Sequence, residues 1–297
     1  MKNLTAKSPA KLNLCLKVNY RRDDGYHDIS SIMIPVSLYD IIDFSIVETP
    51  EIEVFCHGAD VPGGKENLAY KAAEILREEC NVSQGVRITI YKHIPAGAGL
   101  GGGSSNAATT LKVLNKLWDL NLPSKNILEK GKRIGADIPF FINGFPALIG
   151  GIGDVVKNIA INYDIWVLIV FPDIAVSTKY VYNQINLRLT KGHKGIKGFV
   201  SLIEKEEPSP IWESNLVNDL EEVTISRHNE IGDIKVFLKK SGAIASLMAG
   251  SGSSVFGLFA CERDAIDGYK RAIARYKKVY LAKGINNTFF NRSQQWR

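Results

Sequence analysis

The residues that most clearly predict chemistry form a glycine-rich segment, Pro95 to Asn106, with the sequence PAGAGLGGGSSN. Five of the seven residues from Gly97 to Gly103 are glycine. Such a backbone can approach a ligand closely and point several N–H groups at it. Apolar residues at helical spacing follow from Ala107 to Trp118. The segment is therefore predicted to precede a helix N-terminus, where the helix dipole favours an anion such as phosphate.

Two other interpretations of these glycines fit less well. Gly97, Gly99 and Gly102 satisfy the G-x-G-x-x-G dinucleotide pattern, but the preceding Val86 to Tyr91 alternates, whereas a parallel Rossmann strand is usually apolar throughout. The Walker pattern fails because no Gly-Lys-Ser or Gly-Lys-Thr follows at the required spacing. A flexible loop capped by Ser104 is the structural alternative. We favour the phosphate loop, since each ordered glycine costs about 0.5–1 kcal/mol relative to alanine and a helix N-terminus gives the glycines a purpose.

Two further segments bear on the same site. They are Pro9 to Leu16 (PAKLNLCL) and Leu247 to Phe256 (LMAGSGSSVF). In this order and spacing, they and the glycine segment resemble the three motifs of the GHMP kinases. The glycine segment departs from the family pattern at Ala98, where close relatives often carry glycine, and alanine there requires a negative φ.

A narrower resemblance covers nearly the whole chain. Gly25-Tyr26-His27 within DGYHDISS, Gly135 to Pro139 (GADIP) and Leu281 to Asn286 (LAKGIN) are similar to segments of the diphosphocytidyl-methylerythritol kinases. Each short piece is unspecific, but the combination is specific. The resemblance implies ATP-dependent phosphorylation of the 2-hydroxyl in the methylerythritol part of a cytidine diphosphate-linked substrate, with Mg²⁺ as the metal.

The resemblance implies two catalytic residues, Lys11 and Asp137. Asp137 would accept or orient the hydroxyl proton, and Lys11 would lie near Asp137 and the γ-phosphate to offset developing charge. Without the resemblance, Asp137 is more simply a helix cap before Ile138-Pro139, and Lys11 an exposed strand residue.

The resemblance assigns the nucleotide to residues in and around the glycine segment. They are Asn67, Lys92, Pro95, Gly97, Gly99, Gly101, Gly102, Gly103, Ser104 and Ser105. Asn67 and Lys92 correspond to adenine contacts, although Asn67 could equally cap its helix. Ser105 would reach Mg²⁺ or a phosphate oxygen, and Ser104 is alternatively a simple N-cap.

The resemblance assigns the cytidine-linked substrate to five residues: Asn13, Tyr26, His27, Thr178 and Tyr182. An aromatic ring can stack on cytosine, and a neutral imidazole offers it one donor and one acceptor. Asn13 shares a strand face with Lys11 because residues i and i+2 do so. Tyr182 is alternatively a core aromatic, and Ser177 and Thr178 also look like helix caps. Gly250, Ser251 and Gly252 would shape the site indirectly.

Periodicity predicts the elements that must position these residues. The predicted strands are Lys7 to Val18, Ile41 to Val47, Ile52 to Phe55, Val86 to Tyr91 and Trp166 to Phe171. One predicted helix begins at Asn67. The other predicted helices span Ala107 to Trp118, Ser124 to Ile134, Val181 to Leu187, Phe199 to Ile203, Ile231 to Ser241 and Ala265 to Tyr276. Polar or glycine-rich loops are predicted at 191–198 and 204–210.

The resemblance implies an α+β fold with two domains, 1–155 and 156–297, which meet near the glycine-rich GGIGDVVK sequence. The first resembles the ribosomal S5 domain 2-like fold and would carry the nucleotide loop. The second resembles a ferredoxin-like GHMP domain. The substrate would lie in the cleft between them.

Composition sets the remaining expectations. The 297 residues carry a net charge of +6, which suits an anionic ligand. The four cysteines are widely spaced, so we expect small buried hydrophobes in a reducing cytoplasm rather than disulfides or zinc. No apolar run is long enough to span a bilayer, and Met1 to Pro9 shows no signal peptide. We expect a small-molecule substrate, neither nucleic acid nor membrane as partner, and a monomer or weak homodimer.

Three rival functions remain open at this point. One is a GHMP kinase for another alcohol, which would not depend on cytidine. A basic nucleic-acid-binding module predicts steep salt dependence of RNA binding, but it leaves Lys11, the glycine segment and Asp137 unexplained. A catalytically dead nucleotide-binding protein is the third, and the intact Lys11 and Asp137 argue against it.

Overall fold

The computed structural model describes residues 2–59, 61–185 and 195–286. The chain forms two compact units. The first unit comprises Met1–Ala10, Tyr39–Ala96 and Gly101–Gly144. The second unit comprises Lys11–Leu38, Gly97–Leu100 and Phe145–Arg297. These units are interleaved along the chain, whereas the predicted division into 1–155 and 156–297 uses a single cut.

The strands of the described residues are β1 Asn3–Arg21, β2 His27–Val47, β3 Ile52–His57, β4 Gly85–Tyr91, β5 Ala147–Gly150, β6 Val155–Asn158, β7 Trp166–Val170, β8 Val217–Asn218, β9 Ala245–Met248, β10 Val255–Phe259 and β11 Val279–Lys283. One sheet has the order β3-β4-β2-β1-β8, and β5 pairs with both β2 and β6. The other has the order β11-β7-β10-β9. All five predicted strands are present.

The helices of the described residues are α1 Leu68–Glu79, α2 Gly102–Leu117, α3 Ser124–Ile134, α4 Ile138–Asn143, α5 Thr178–Gln184, α6 Ile196–Ile203, α7 Glu221–Ile225, α8 Asn229–Lys240 and α9 Glu262–Ile273. Each predicted helix is found; α3 has the predicted bounds, and the other helices have shifted ends. Residues 186–194, which held the end of one predicted helix and most of the predicted basic loop, lie outside the described part of the chain.

In the first unit, α1 packs against both α2 and β3. β4 runs antiparallel to the Ile41–Val47 part of β2 and parallel to β3. The alternation seen in the sequence of β4 places Val86, Ile88 and Ile90 in the core. Ala72, Leu76 and Leu111 are also fully buried on their helices. These packed elements fix both ends of the glycine segment.

In the second unit, β7, β9, β10 and β11 form an antiparallel sheet. α8 precedes β9, and α9 connects β10 to β11. Apolar residues of both helices pack with the sheet, including Ile234, Leu238 and Ala265. This connectivity is the ferredoxin-like β-α-β-β-α-β arrangement, as predicted for the C-terminal half.

β2 is much longer than the predicted Ile41–Val47, because it begins at His27. Residues 31–36 are all buried, so they do not alternate between apolar and polar. Ser31–Met33 pair with β5 in the second unit. A strand covered on both faces lacks the period of two on which the prediction relied.

All four cysteines are free. Cys15 is buried and its pKa is raised to about 12, chiefly by burial. Cys56 and Cys80 are half-buried, and Cys261 is exposed. The expectation of four buried cysteines is therefore wrong for Cys261, which lies at the N-cap of α9. Within the described residues, no helix combines the length and the hydrophobicity needed to cross a bilayer.

Candidate active site

The glycine segment leads from β4 to the N-terminus of the 16-residue α2. Gly97, Gly99 and Gly101 have φ values of 64°, 77° and 71°, which L-residues with side chains rarely adopt. Helix α2 begins at Gly102, with Gly101 as N-cap and no side-chain capping bond. The first N–H groups of α2 have no partner within the helix, so the segment has the geometry of an anion site.

The alternative of Ser104 as an N-cap is wrong, because Ser104 is the third residue of α2. Helix propensity disfavours glycine by about 1 kcal/mol relative to alanine, so the sequence suggested a later start. The surroundings explain why position 102 carries glycine in the observed helix. A Cβ at Gly102 would lie 3.0 Å from the Ile94 side chain, and one at Gly103 would meet Leu68 at 3.6 Å.

In the second unit, the segment rests on the backbone of the third motif. A Cβ at Gly99 would lie 1.9 Å from the carbonyl oxygen of Ala249, so only glycine fits there. The Ser254 N–H donates to the Ala98 carbonyl at 3.3 Å. Ala98 is buried and has no positive φ, so the departure from the family glycine is accommodated. The third motif thus supports the glycine segment directly.

Lys11 lies beside the contact between the glycine segment and the third motif. Its backbone N–H donates to the Leu100 carbonyl at 2.9 Å. A Cβ at Gly250 would lie 3.3 Å from Lys11 Nζ and 3.0 Å from the Gly99 carbonyl oxygen. Lys11 is only 4% exposed, which contradicts the alternative of an exposed strand residue. Its ammonium donates to Asn13 Oδ1 at 2.5 Å, so the structure brings Lys11, Asn13 and the two glycine motifs together.

Lys92 follows β4 in the first unit and is buried in an ion pair with Asp40. The Lys92 ammonium also donates to Asn106 Oδ1 at 3.1 Å. A Cβ at Gly102 would lie 3.2 Å from Lys92 Nζ, so this ammonium lies beside the first turn of α2. The predicted adenine contact of Lys92 stays a prediction.

Sequence reasoning missed Asp40, which is fully buried. Its Oδ1 accepts from the backbone N–H groups of His93 and Ile94 at 2.8 and 2.9 Å. Its Oδ2 accepts from Lys92 and from Asn106 Nδ2. The available signal was a carboxylate within the otherwise apolar pattern of LYDII. Asp40 joins the end of β4 to the first turn of α2, across the glycine segment.

Ser105 is fully buried in α2. Its hydroxyl accepts a 2.7 Å hydrogen bond from Ser8, which also accepts from Asn106 Nδ2 at 3.0 Å. These bonds tie the first turn of α2 to β1. The contact of Ser105 with Mg²⁺ or phosphate stays a prediction.

Asn67 is the N-cap of α1, where its Oδ1 accepts from the Ala69 N–H at 2.9 Å. Its Nδ2 donates to the Pro62 carbonyl at 2.9 Å. The capping alternative is therefore confirmed. The adenine contact of Asn67 stays a prediction, as do the nucleotide contacts of the segment from Pro95.

Asp137 is half-buried at the N-cap position of α4, and its side chain makes no capping hydrogen bond. The predicted cap position of Asp137 before Ile138-Pro139 is therefore confirmed, although its side chain does not cap the helix by a hydrogen bond. Asp137 belongs to the first unit and Lys11 to the second. Their proximity stays a prediction.

The residues assigned to cytosine include an aromatic pair in the second unit. The rings of His27 and Tyr182 have centroids 5.3 Å apart and an interplanar angle of 34°. Burial, with a smaller contribution from Arg21, lowers the pKa of His27 below its usual 6.5. Tyr26 is 61% exposed after the turn at Gly25. His27 therefore favours its neutral form, and Tyr26 can be reached by a ligand.

Tyr182 also packs against the core of the second unit, so it agrees with both of its interpretations. Thr178 is the first residue of α5, whose cap is Ser177, which accepts from the Tyr180 N–H at 3.3 Å. The hydroxyls of Thr178 and Ser251 share a 2.8 Å hydrogen bond. The third motif thus reaches the start of α5.

In residues 2–59, 61–185 and 195–286, no group of three or more His, Cys, Asp or Glu side chains is arranged to hold a metal ion. The second unit provides a buried lysine beside the glycine motifs, and the first unit provides a helix N-terminus suited to an anion. Each of these features suits the stabilisation of phosphate charge.

Family models match both halves of the chain. The model described as GHMP kinases N terminal domain matches residues 67–145, and that described as GHMP kinases C terminal matches residues 205–278.

Full-length relatives are similar over almost their whole length. The 4-diphosphocytidyl-2-C-methyl-D-erythritol kinase of Clostridioides difficile is 44% identical over 93% of this chain and 93% of its own. The enzyme of the same name from Bacillus subtilis is 42% identical over 94% of this chain and 96% of its own.

Solved structures give the same result. A crystal structure of 4-(cytidine 5'-diphospho)-2C-methyl-D-erythritol kinase has a TM-score of 0.81 and 31% identity, covering 95% of this chain and 99% of its own. A homoserine kinase from Cytophaga hutchinsonii has a TM-score of 0.67 at 15% identity, covering 96% of each chain, and shares the fold.

Proposed function

The chain belongs to the GHMP kinases and, within them, to the 4-diphosphocytidyl-2-C-methyl-D-erythritol kinases, and from this membership we propose that it phosphorylates the 2-hydroxyl of 4-diphosphocytidyl-2-C-methyl-D-erythritol. The protein is an ATP-dependent kinase with an alcohol as acceptor. The product would be a phosphomonoester on the methylerythritol route to isoprenoid precursors. The observation that carries the proposal is the buried ammonium of Lys11 beside Gly99 and Gly250.

Lys11 is proposed to offset negative charge on the transferred phosphoryl group. Phosphoryl transfer depends mainly on positioning and on stabilisation of charge spread over the phosphoryl oxygens. A buried ammonium acts more strongly on that charge than an exposed one, because the local dielectric is lower. Asn13 holds the Lys11 ammonium at 2.5 Å and is itself proposed to contact the substrate.

Asp137 is proposed to accept the proton of the attacking hydroxyl. A carboxylate suits this role because it is an acceptor with two oxygens. The side chain of Asp137 does not cap α4. This supports a role other than helix capping.

The nucleotide is proposed to place its phosphates at the N-terminus of α2. Gly101, Gly102, Gly103, Ser104 and Ser105 would surround the phosphates, and the positive φ values at Gly97, Gly99 and Gly101 support a loop held open for a ligand. Asn67 and Lys92 are proposed to lie towards the adenine.

The cytidine part is proposed to bind at Tyr26, His27 and Tyr182. The lowered pKa of His27 supports recognition by a neutral imidazole, which has one donor and one acceptor for the base edge. Thr178 is proposed to contact the reacting end of the substrate.

Mg²⁺ is proposed to arrive with ATP. This cation is usually held through one or two carboxylates and the substrate phosphates. The Ser105 hydroxyl is the oxygen that we propose to reach Mg²⁺ or a phosphate. When bound, the cation would neutralise charge on the phosphate oxygens. The protein is proposed to act in the cytoplasm as a monomer or weak homodimer.

The test is phosphoryl transfer from Mg-ATP to 4-diphosphocytidyl-2-C-methyl-D-erythritol, followed by phosphorus NMR, with the wild type and Asp137→Asn compared directly. A new phosphomonoester signal is expected with the wild type. We expect the variant to lose roughly a hundredfold or more in rate, in the range of general-base removal. If folded, ATP-binding wild type gives no product, the substrate assignment fails and other alcohols become the candidates.

A further inference from the structure

Ser31 is a fully buried polar residue on β2 to which neither the motifs nor the resemblance assigned a role. Its hydroxyl donates to the Cys15 carbonyl at 2.6 Å. Asn13 Nδ2 donates to the same hydroxyl at 2.8 Å. Ser31 therefore lies one hydrogen bond from Asn13 and two from the Lys11 ammonium.

The order of donors and acceptors in this network has one solution. A backbone carbonyl only accepts, so the Ser31 hydroxyl must donate its single proton to the Cys15 carbonyl. Toward Asn13, the Ser31 oxygen can then only accept, and only the NH₂ end of the amide can donate to it. The opposite end of the amide, Oδ1, must then face Lys11, whose ammonium only donates.

The reversed amide would break this arrangement at both ends. Asn13 Nδ2 would face the Lys11 ammonium, donor against donor. Asn13 Oδ1 would face the Ser31 oxygen. The Ser31 hydroxyl could donate to Oδ1 only by giving up its hydrogen bond to the Cys15 carbonyl. Buried polar groups left without a partner are costly, and Asn13 and Ser31 are both 0% exposed. The hydroxyl of Ser31 therefore selects the amide orientation.

We propose that Ser31 is a positioning residue: its hydroxyl fixes the Asn13 amide so that Oδ1 faces Lys11 and holds the ammonium beside the glycine segment. The proposal deepens the proposed function and rests on it for the role of Lys11. Ser31 itself touches neither the phosphate nor the proton in transfer.

The experiment compares Ser31→Ala, Asn13→Ala and the double variant, with kcat and the KM for each substrate measured by varying one substrate while the other is saturating. Ser31→Ala is expected to lower kcat about tenfold, which corresponds to loss of roughly one net buried hydrogen bond, and to leave the KM for ATP unchanged. In the Asn13→Ala background, Ser31→Ala is expected to change kcat by less than about twofold, because the two residues act in series. Ser31→Thr keeps the hydroxyl and should retain wild-type kcat.

The matched control is Ser246→Ala. Ser246 also belongs to the second unit and donates to a backbone carbonyl, that of Lys235, at 3.1 Å. It lies on β9 and has no role in the proposed site. Its loss is expected to leave kcat unchanged. A merely structural Ser31 would give Ser31→Ala the same effect on kcat with and without Asn13, and that result overturns the proposal.

A second measurement keeps the proposal separate from the substrate assignment. The ¹⁵N-labelled side-chain amide signal of Asn13, identified by its loss in Asn13→Ala, is compared in the wild type and Ser31→Ala. A shifted or broadened signal and faster NH₂ exchange in Ser31→Ala support the proposal even if the substrate proves to be another alcohol. An unchanged signal overturns it, whatever the kinetics. Loss of activity in Lys11→Ala, with Ser31→Ala at wild-type kcat, would sink the inference and leave the proposed function intact.

Discussion

Two buried lysines stand beside the glycine segment, and their surroundings differ. In the first unit, Lys92 is paired with the carboxylate of Asp40, which also accepts from the backbone of His93 and Ile94. In the second unit, Lys11 donates to the neutral amide of Asn13, whose orientation Ser31 fixes. We refer to Asp40, Lys92 and Asn106 as the Lys92 network, and to Lys11, Asn13 and Ser31 as the Lys11 network.

The difference indicates separate tasks. A carboxylate with four hydrogen bonds compensates the Lys92 charge locally and ties the end of β4 to α2, so the Lys92 network should act mainly on stability. The Lys11 network places an ammonium beside Gly250 and Gly99, where we propose that charge changes during phosphoryl transfer. It should act mainly on turnover. Two predictions test this contrast directly, and the proposed test of Ser31 adds to them. Two smaller predictions concern the glycine segment and His27.

The largest expected effect is on stability, from Asp40→Ala. This change leaves Lys92 buried without its carboxylate and removes the acceptor of two backbone N–H groups. Breaking one side of a buried ion pair costs about 3–5 kcal/mol, which urea unfolding would measure. The double variant Asp40→Ala/Lys92→Met should recover part of the loss, since it removes the uncompensated charge. If Asp40→Ala is as stable as the wild type, the Lys92 network does not act mainly on stability and the contrast between the two networks is wrong.

The next effect is on turnover, from Lys11→Ala. Removal of one preorganised charge-stabilising group typically lowers kcat about 10²–10³-fold. The free energy of unfolding should fall by less than in Asp40→Ala. Both quantities should be measured on the same preparations, with Lys92→Met beside Lys11→Ala. The contrast fails if Lys92→Met lowers kcat more than Lys11→Ala does without unfolding.

A smaller effect, on the KM for ATP, is expected from a matched pair of substitutions in the glycine segment. Gly99→Ala and Gly97→Ala both place a Cβ at positive φ, a strain of roughly 1–2 kcal/mol. At Gly99 the Cβ also meets the Ala249 carbonyl oxygen at 1.9 Å, whereas nothing lies within 4 Å at Gly97. Gly99→Ala should therefore raise the KM for ATP several-fold more than Gly97→Ala. Equal KM values would show that the contact with the third motif is unimportant.

The smallest effect is the pH dependence of His27. Burial and Arg21 lower its pKa from 6.5, so the neutral imidazole persists at neutral pH and is lost only as pH falls below 6.5. The KM for the cytidine substrate should be flat near pH 7 and rise in that acidic window. The unfolded chain binds this proton more readily, so stability should fall in the same window.

His27→Gln is the control for this titration, because glutamine offers a donor and an acceptor but does not titrate there. Its KM should be flat across the same pH range. A wild-type KM that rises already above pH 6.5 would contradict the lowered pKa.

Local signals predicted much of the candidate site. The glycine segment, the strand of Lys11 and the helix at Asn67 follow from patterns within short stretches, and each is present. Ser104 was misplaced because helix propensity argues against a helix that starts at Gly102. In the structure α2 nevertheless begins at Gly102, where a Cβ would lie only 3.0 Å from Ile94.

Asp40 and Ser31 show what sequence reasoning could not supply. Each is a polar residue within the long strand β2, and its role depends on partners that are distant in sequence: Asp40 on Lys92 and Asn106, Ser31 on Asn13. Hydrogen bonds across 18 to 66 positions leave no local period to detect.

The amino-acid sequence by itself determined the family motifs, the alternation that makes β1 and β4 strands, and the glycines that alone tolerate the turns of the glycine segment. Those features follow from side-chain size and from the period of the backbone. The tertiary structure decided that Lys11 and Lys92 are buried, which partner each one has, and which way the Asn13 amide faces. Burial and hydrogen bonding depend on residues brought together from distant parts of the chain, and that information exists only once the strands have paired.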